Sequence, residues 1–191
     1  MNFQRIVRLC GLLLLAYCLF PVSLFSQTGA PARFEADFDV LAIPRGGYGV
    51  RVAYQKEHLR LSATTFDHRR AALVIAERNV NVRTSGVGFG VDYFLRPSRG
   101  IFFGVQTAFH DEELLRITTE DRAAQRTIQA GVQAGYRWAS GREEENLRGL
   151  FLEATVGLST RLAEQPLTLG TTDYENQALM LEPGLRIGYR F

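Results

Sequence analysis

The chain has 191 residues, 46% of them hydrophobic, with 22 basic against 20 acidic side chains and two cysteines. That length suits a single domain with a sizeable interior. A net charge of +2 leaves no basic field for nucleic acid, and two cysteines are too few for a disulfide-stapled scaffold.

Met1 to Ser26 has the layout of a secretory signal. Arg5 and Arg8 form a positive start, and Leu9 to Phe25 is apolar around Leu12-Leu13-Leu14-Leu15. Pro21 interrupts the stretch, which is also short for a membrane helix. Cleavage fits before Gln27 or near Ala30-Pro31-Ala32. The expected division is therefore a signal peptide at 1–26 and one domain at 27–191. Both cysteines, Cys10 and Cys18, fall inside the signal, so the exported chain is expected to fold without disulfides. Losing Arg5 and Arg8 also brings the net charge to about zero. No later apolar run approaches the ~20 residues of a spanning helix.

The remaining chain alternates. Phe34 to Ala42 sets Phe34, Ala36, Phe38 and Val40 against Glu35, Asp37 and Asp39. Pro44-Arg45-Gly46-Gly47 is a turn. Tyr48 to Tyr54 opposes Tyr48, Val50, Val52 and Tyr54 to Gly49, Arg51 and Ala53. Lys56-Glu57-His58 turns the chain into Leu59–Arg69, with Arg60 on the polar face. An irregular stretch from Arg70 to Asn81 contains the apolar run 71–76, read either as a strand extension or as a helical turn. Val82 to Leu95 pairs an apolar face with Gly86, Gly88, Gly90 and Asp92. Pro97-Ser98-Arg99-Gly100 is the clearest turn. Ile101 to Leu115, Thr127 to Trp138 and Arg148 to Leu162 repeat the pattern; their polar faces include His110, Arg137, Glu153 and Arg161.

Ala178 to Phe191 is the cleanest strand. Leu179, Leu181, Pro183, Leu185, Ile187, Tyr189 and Phe191 share one face; Met180, Glu182, Gly184, Arg186, Gly188 and Arg190 share the other. A period of two with two different faces is a strand between two different environments. Pro183 cannot donate to a ladder, so a bulge or the membrane edge is expected there. Eight such strands alternate with connections that are short after the second, fourth and sixth, and longer after the third, fifth and seventh. Glycine on the polar face suits a cramped barrel interior, whereas on a wet outer face it would only weaken the strands.

The alternating final strand closed by Phe191, behind a signal peptide, resembles the last strand of bacterial outer-membrane proteins, and the whole is similar to the small OmpA/OmpX-type barrels. The resemblance implies an all-β, eight-stranded antiparallel up-and-down transmembrane β-barrel in the outer membrane of a Gram-negative cell envelope, porin-like and monomeric. It also implies recognition by the barrel assembly machinery through the C-terminal strand. With both termini in the periplasm, the short connections are periplasmic turns and the longer ones outer loops, except for a brief first loop. The domain that tethers OmpA-type proteins to the cell wall has no counterpart in the sequence, so no tether is expected.

On this reading Glu35, Asp37, Asp39, Arg51, Arg60, Asp92, Arg137, Glu153, Arg161, Glu182 and Arg186 face the interior and must pair there, because an unpaired buried charge is costly. Tyr54, Tyr93, Phe103, Tyr136, Trp138, Tyr189 and Phe191 fall at the periplasmic rim as an aromatic girdle. Arg69, Arg70, Arg78 and Arg83 bracket the second outer loop and could meet lipopolysaccharide phosphates. Outer-membrane lipids, lipopolysaccharide included, are therefore the expected partners. The expected role is structural or surface-interacting.

Three other functions have their own sequence requirements. A lipid A-modifying enzyme would use histidine with serine and an acid near the outer rim. His58 lies in a periplasmic turn; His68 and His110 have inward parity, while Asp67 and Asp111 face the other way and no serine sits in a nucleophile arrangement. A narrow pore would need an unblocked lumen. A soluble lipocalin-like binder would turn its apolar faces inward. No metal-ligand spacing, phosphate loop or dinucleotide turn is present, so no cofactor is expected and no catalytic residue is assigned.

Overall fold

The computed structural model describes residues 32–69, 80–97, 99–116, 122–140, 148–163, 168–169, 172–173 and 179–191. The signal segment and the 71–76 run lie outside these. The strands are β1 (Arg33–Asp39), β2 (Tyr48–Lys56), β3 (Leu59–Arg69), β4 (Val80–Arg96), β5 (Arg99–Arg116), β6 (Arg122–Ala139), β7 (Gly149–Ala163), the two-residue β8 (Thr168–Leu169) and β9 (Thr172–Asp173), and β10 (Leu179–Arg190). Eight of them close an antiparallel barrel in the order β1-β10-β7-β6-β5-β4-β3-β2, while β8 and β9 pair only with each other. The chain runs up and down, each barrel strand beside the next. Both ends of the barrel chain, Arg33 and Arg190, lie at one end of the cylinder with the turns after β2, β4 and β6; this is the terminal end. The opposite end is the loop end.

The alternation works as a packing rule. Successive side chains point to opposite faces of a strand, and the register keeps one set inward around the whole ring. Among the described residues, seven apolar residues are buried against eighteen polar or charged ones. Large apolar side chains instead cover the outside: Phe34 is 64% exposed, Val105 58%, Leu150 57% and Leu181 61%.

Strand height is uneven. β5 pairs with β6 over sixteen positions, from Gly100↔Arg137 to Leu115↔Arg122, while β1 meets β10 over only five, from Glu35↔Arg190 to Asp39↔Arg186. The strand expected over Phe34–Ala42 therefore ends early, and a 3-10 helix, Val40–Arg45, takes its place. Asp39 caps this helix, its Oδ1 accepting from the Leu41 amide at 2.9 Å. Gly46 ends it in the left-handed conformation at φ +67°, its N–H bonded to the Ile43 carbonyl at 2.9 Å.

The end of β1 explains why Pro183 is tolerated. The amide of Phe191 donates to Phe34 on β1 at 3.0 Å, so every second amide back along β10 points toward the β1 side. Pro183 is on that parity and has no proton to donate. The expected bulge is absent: β10 pairs with β7 without interruption, Pro183 opposite Val156. Its missing donor faces the place where β1 has already given way to the helix, so no ladder bond is lost there. Register shifts occur elsewhere, at Phe94/Arg96 beside the β4–β5 turn and opposite Leu162 on β7.

Candidate functional site: the barrel lumen

The lumen has a packed floor at the terminal end. Part of it is aromatic. Phe94 from β4 and Phe102 from β5 stack at 4.9 Å, and Phe151 from β7 is buried with them. Glycines make room: a Cβ on Gly135 would press into the Phe102 ring, and one on Gly188 into Phe151. These three rings break the polar pattern of their own faces, and sequence alternation alone gives no sign of them.

Guanidinium groups lie on these rings. Arg60 sits 5.0 Å from the centroids of both Phe94 and Phe102. Arg137 lies 4.6 Å over Phe94 and 4.3 Å over Phe151. Arginine suits this role, because its planar ion stacks on an aromatic face while its edge donates to carboxylates.

Around the rings is a dense ion network. Glu153 accepts from Arg51 at 2.8 Å, Arg60 at 2.6 Å and Arg137 at 2.9 Å. Glu35 takes both Nη atoms of Arg137, at 2.8 and 3.0 Å, and Nε of Arg190 at 2.8 Å. Asp37 accepts from Arg51 Nε at 2.7 Å. Asp92 accepts from Arg60 Nε at 2.9 Å and from Gln133. Gln55 Oε1 bridges Arg190 and Arg137 at 2.9 and 3.3 Å. Arg60, Asp92, Arg137 and Glu153 are all at most 1% exposed. Each such ion has lost its hydration and is held only by its partners, so the network is sensitive to losing any member.

The loop-end half is different. Glu182 accepts from Ser159 at 2.8 Å and Gln106 at 3.3 Å. Arg161 Nη2 reaches both oxygens of Glu112, at 3.0 and 3.1 Å, and Gln125 adds a bond to Glu112 at 2.7 Å. Between these groups and the floor is a cavity of about 200 Å³, walled by Gly49, Thr64, Gly88, Gln106 and Gly131 and reaching down to Arg51 and Arg186.

Of the eleven charges assigned to the interior, all but Asp39, Arg161, Glu182 and Arg186 are deeply buried in the floor. Asp39 is half-buried and serves the helix cap. Arg190, Glu112, Gln55 and Gln133 also belong to the lumen; their parity with Arg186, His110, Ala53 and Arg137 respectively was the available signal.

The seven rim aromatics, Tyr54, Tyr93, Phe103, Tyr136, Trp138, Tyr189 and Phe191, lie on the outer surface toward the terminal end. There Tyr136 contacts Trp138 at 4.7 Å and Tyr189 contacts Phe191 at 5.1 Å. Phe34, against Tyr54 at 5.5 Å, joins them.

His58 lies in the β2–β3 turn, its Nδ1 2.6 Å from the Phe94 carbonyl oxygen and its ring stacked on Tyr93. His110 and His68 approach Phe66 at 5.0 and 5.9 Å inside the barrel. Their sequence neighbours Asp67 and Asp111 face outward to Arg83 and Arg126, at 2.7 and 2.8 Å. The inward serines Ser62 and Ser159 bond the Gly90 carbonyl and Glu182. Among the described residues, no three His, Cys, Asp or Glu side chains gather as a metal site. Arg69 stands beside Arg83 across β3–β4, and Arg83 is already held bidentate by Asp67. Arg70 and Arg78 lie outside the described residues.

No family model and no curated protein matches the chain. Among solved structures, the crystal structure of Neisserial surface protein A (NspA) is similar, at 15% identity and a TM-score of 0.48, over 85% of this chain and 98% of that one.

Proposed function

We propose that the protein is an integral outer-membrane barrel with a structural or surface-interacting role, its lumen closed by charged pairs. The observation that carries this reading is the inverted polarity of the barrel. Buried arginines and carboxylates fill the inside, and exposed Val, Leu, Ile and aromatic side chains cover the outside of every long strand. In water that surface would aggregate; against lipid it is the surface required. A lipocalin-like binder needs the opposite arrangement. Export through a cleaved 1–26 signal and insertion by the assembly machinery belong to the same proposal.

Trp138, Tyr136, Tyr93 and Tyr189 sit where amphipathic rings anchor a barrel at a membrane interface. Arg69 and Arg83, with Arg70 and Arg78, are proposed contacts for lipopolysaccharide phosphates. The floor, with its three rings and paired ions, favours a closed lumen over a steady pore. The histidine surroundings favour no hydrolytic role.

The test is gel mobility of the outer-membrane fraction before and after boiling. A folded barrel resists SDS and shifts on heating. A protein recovered soluble, with no shift, overturns the proposal. Regular single-channel steps in planar bilayers would overturn the closed lumen alone.

A further inference from the structure

The floor and Arg186 at its upper edge are unevenly paired. Among the described residues, five guanidiniums (Arg51, Arg60, Arg137, Arg186 and Arg190) share four carboxylates (Glu35, Asp37, Asp92 and Glu153). Arg186 is the loosely held one. Its Nε lies 3.9 Å from Asp37 and its Nη1 3.7 Å from Glu153, both beyond hydrogen-bond distance. Nη1 is buried with no hydrogen-bond partner.

A further carboxylate stands close by but makes no ion pair with Arg186. The register places Asp39 directly across from Arg186, yet Asp39 turns its Oδ1 to the Leu41 amide to cap the 3-10 helix. Glu182, two turns of the pleat above on the same strand, is held by Ser159 and Gln106. Arg186 therefore lines the bottom of the 200 Å³ cavity with donor capacity to spare.

We propose that this cavity is a binding site for one small oxyanion, a carboxylate or a phosphate group, seated on Arg186. A guanidinium edge presents two parallel N–H donors that match two oxygens of such a group, a fit that a spherical halide cannot make. Thr64 and Gln106, on the walls, supply further polar contacts. At about 200 Å³ the space is smaller than the ~300–1,000 Å³ of pockets for drug-sized ligands, so the occupant is small. Gly88 and Gly131 keep the space open. The proposal concerns the lumen alone and does not depend on what surrounds the barrel.

The test uses the full folded barrel in neutral detergent at constant ionic strength. Sodium acetate, sodium phosphate and sodium chloride are titrated separately by calorimetry, and the unfolding temperature is followed in each. The expected result is saturable one-to-one binding of acetate or phosphate, with a raised unfolding temperature and no comparable effect of chloride. Which of the two binds more tightly distinguishes a carboxylate from a phosphate ligand. R186Q is expected to weaken binding at least tenfold. G88L keeps Arg186 but fills the space; its Cβ would meet its nearest neighbours at 3.4 Å, an ordinary contact, and it is expected to lose binding as well. Equal effects of all three salts, no saturable binding by the wild-type barrel, or unchanged binding in a folded R186Q barrel would each overturn the proposal. The wild-type titrations decide the matter even if a variant fails to fold.

Discussion

The two halves of the lumen are built from the same strands and solve opposite problems. The terminal-end half is solid: three phenylalanines, stacked guanidiniums and a Glu153 carboxylate shared by three arginines leave no room. The loop-end half is hollow, with glycine where the floor has arginine. The difference shows that an eight-stranded ring does not by itself set how full its interior is. Side-chain length on the inward parity does. Long, planar, charged side chains close a barrel of this width, and glycines on the same rows reopen it.

Variants can break this contrast in order of expected size. Glu153 is the acceptor shared by three arginines, so E153Q should cost the most, about 3–5 kcal/mol, the cost of stranding buried charge. Urea unfolding in detergent, read by tryptophan fluorescence, would measure it. Next comes a charge on the outer surface. V132R, at a position 56% exposed, should cost about 2–4 kcal/mol for a barrel folded into lipid and close to nothing for one folded in water. Refolding into liposomes separates the two cases. R137K keeps the charge but loses the fork that grips both Glu35 and Glu153; a loss of about 1.5–3 kcal/mol is expected from the same unfolding curves. G88S, in the hollow half, should change stability by no more than about 0.5 kcal/mol, because its Cβ meets only ordinary contacts. D67A removes the exposed pair with Arg83 at the loop end, for about 0.2–1 kcal/mol. If G88S cost as much as E153Q, the distinction between a supporting floor and a permissive cup would fail.

Much of this molecule is written in parity. The inward direction of Arg51, Arg60, Asp92, Arg137 and Glu153 follows from counting by two along strands whose apolar faces are unmistakable. The number of strands and their up-and-down order follow from the turns between them. What counting by two does not reveal is who meets whom across the lumen. Arg137 and Glu35 are 102 residues apart and touch only because the closed ring brings distant strands face to face. Nor does it reveal inward rings such as Phe102 and Phe151, which read as errors in a polar row until the glycines beside them, Gly135 and Gly188, are seen as their space. The 3-10 helix was hidden for a different reason. Val40 continues the alternation of Phe34–Phe38, and the turn to a helix is marked only by the Asp39 cap, which reads in the sequence as one more polar position.

The shortness of the β1–β10 ladder has a consequence for how the barrel forms. Neighbouring strands elsewhere are joined by turns or single loops and can zip as local hairpins, a cheap search for the chain. The β1–β10 seam must bring Glu35 to Arg190 across 155 residues for a reward of five paired positions, against sixteen between β5 and β6. Closing so wide a loop for so few backbone bonds is the least favourable step in assembling the ring. The Glu35–Arg190 contact works there as a latch. It adds to the seam a charged bond that no local hairpin could replace, and it makes the floor of the lumen and the closure of the cylinder one cooperative event.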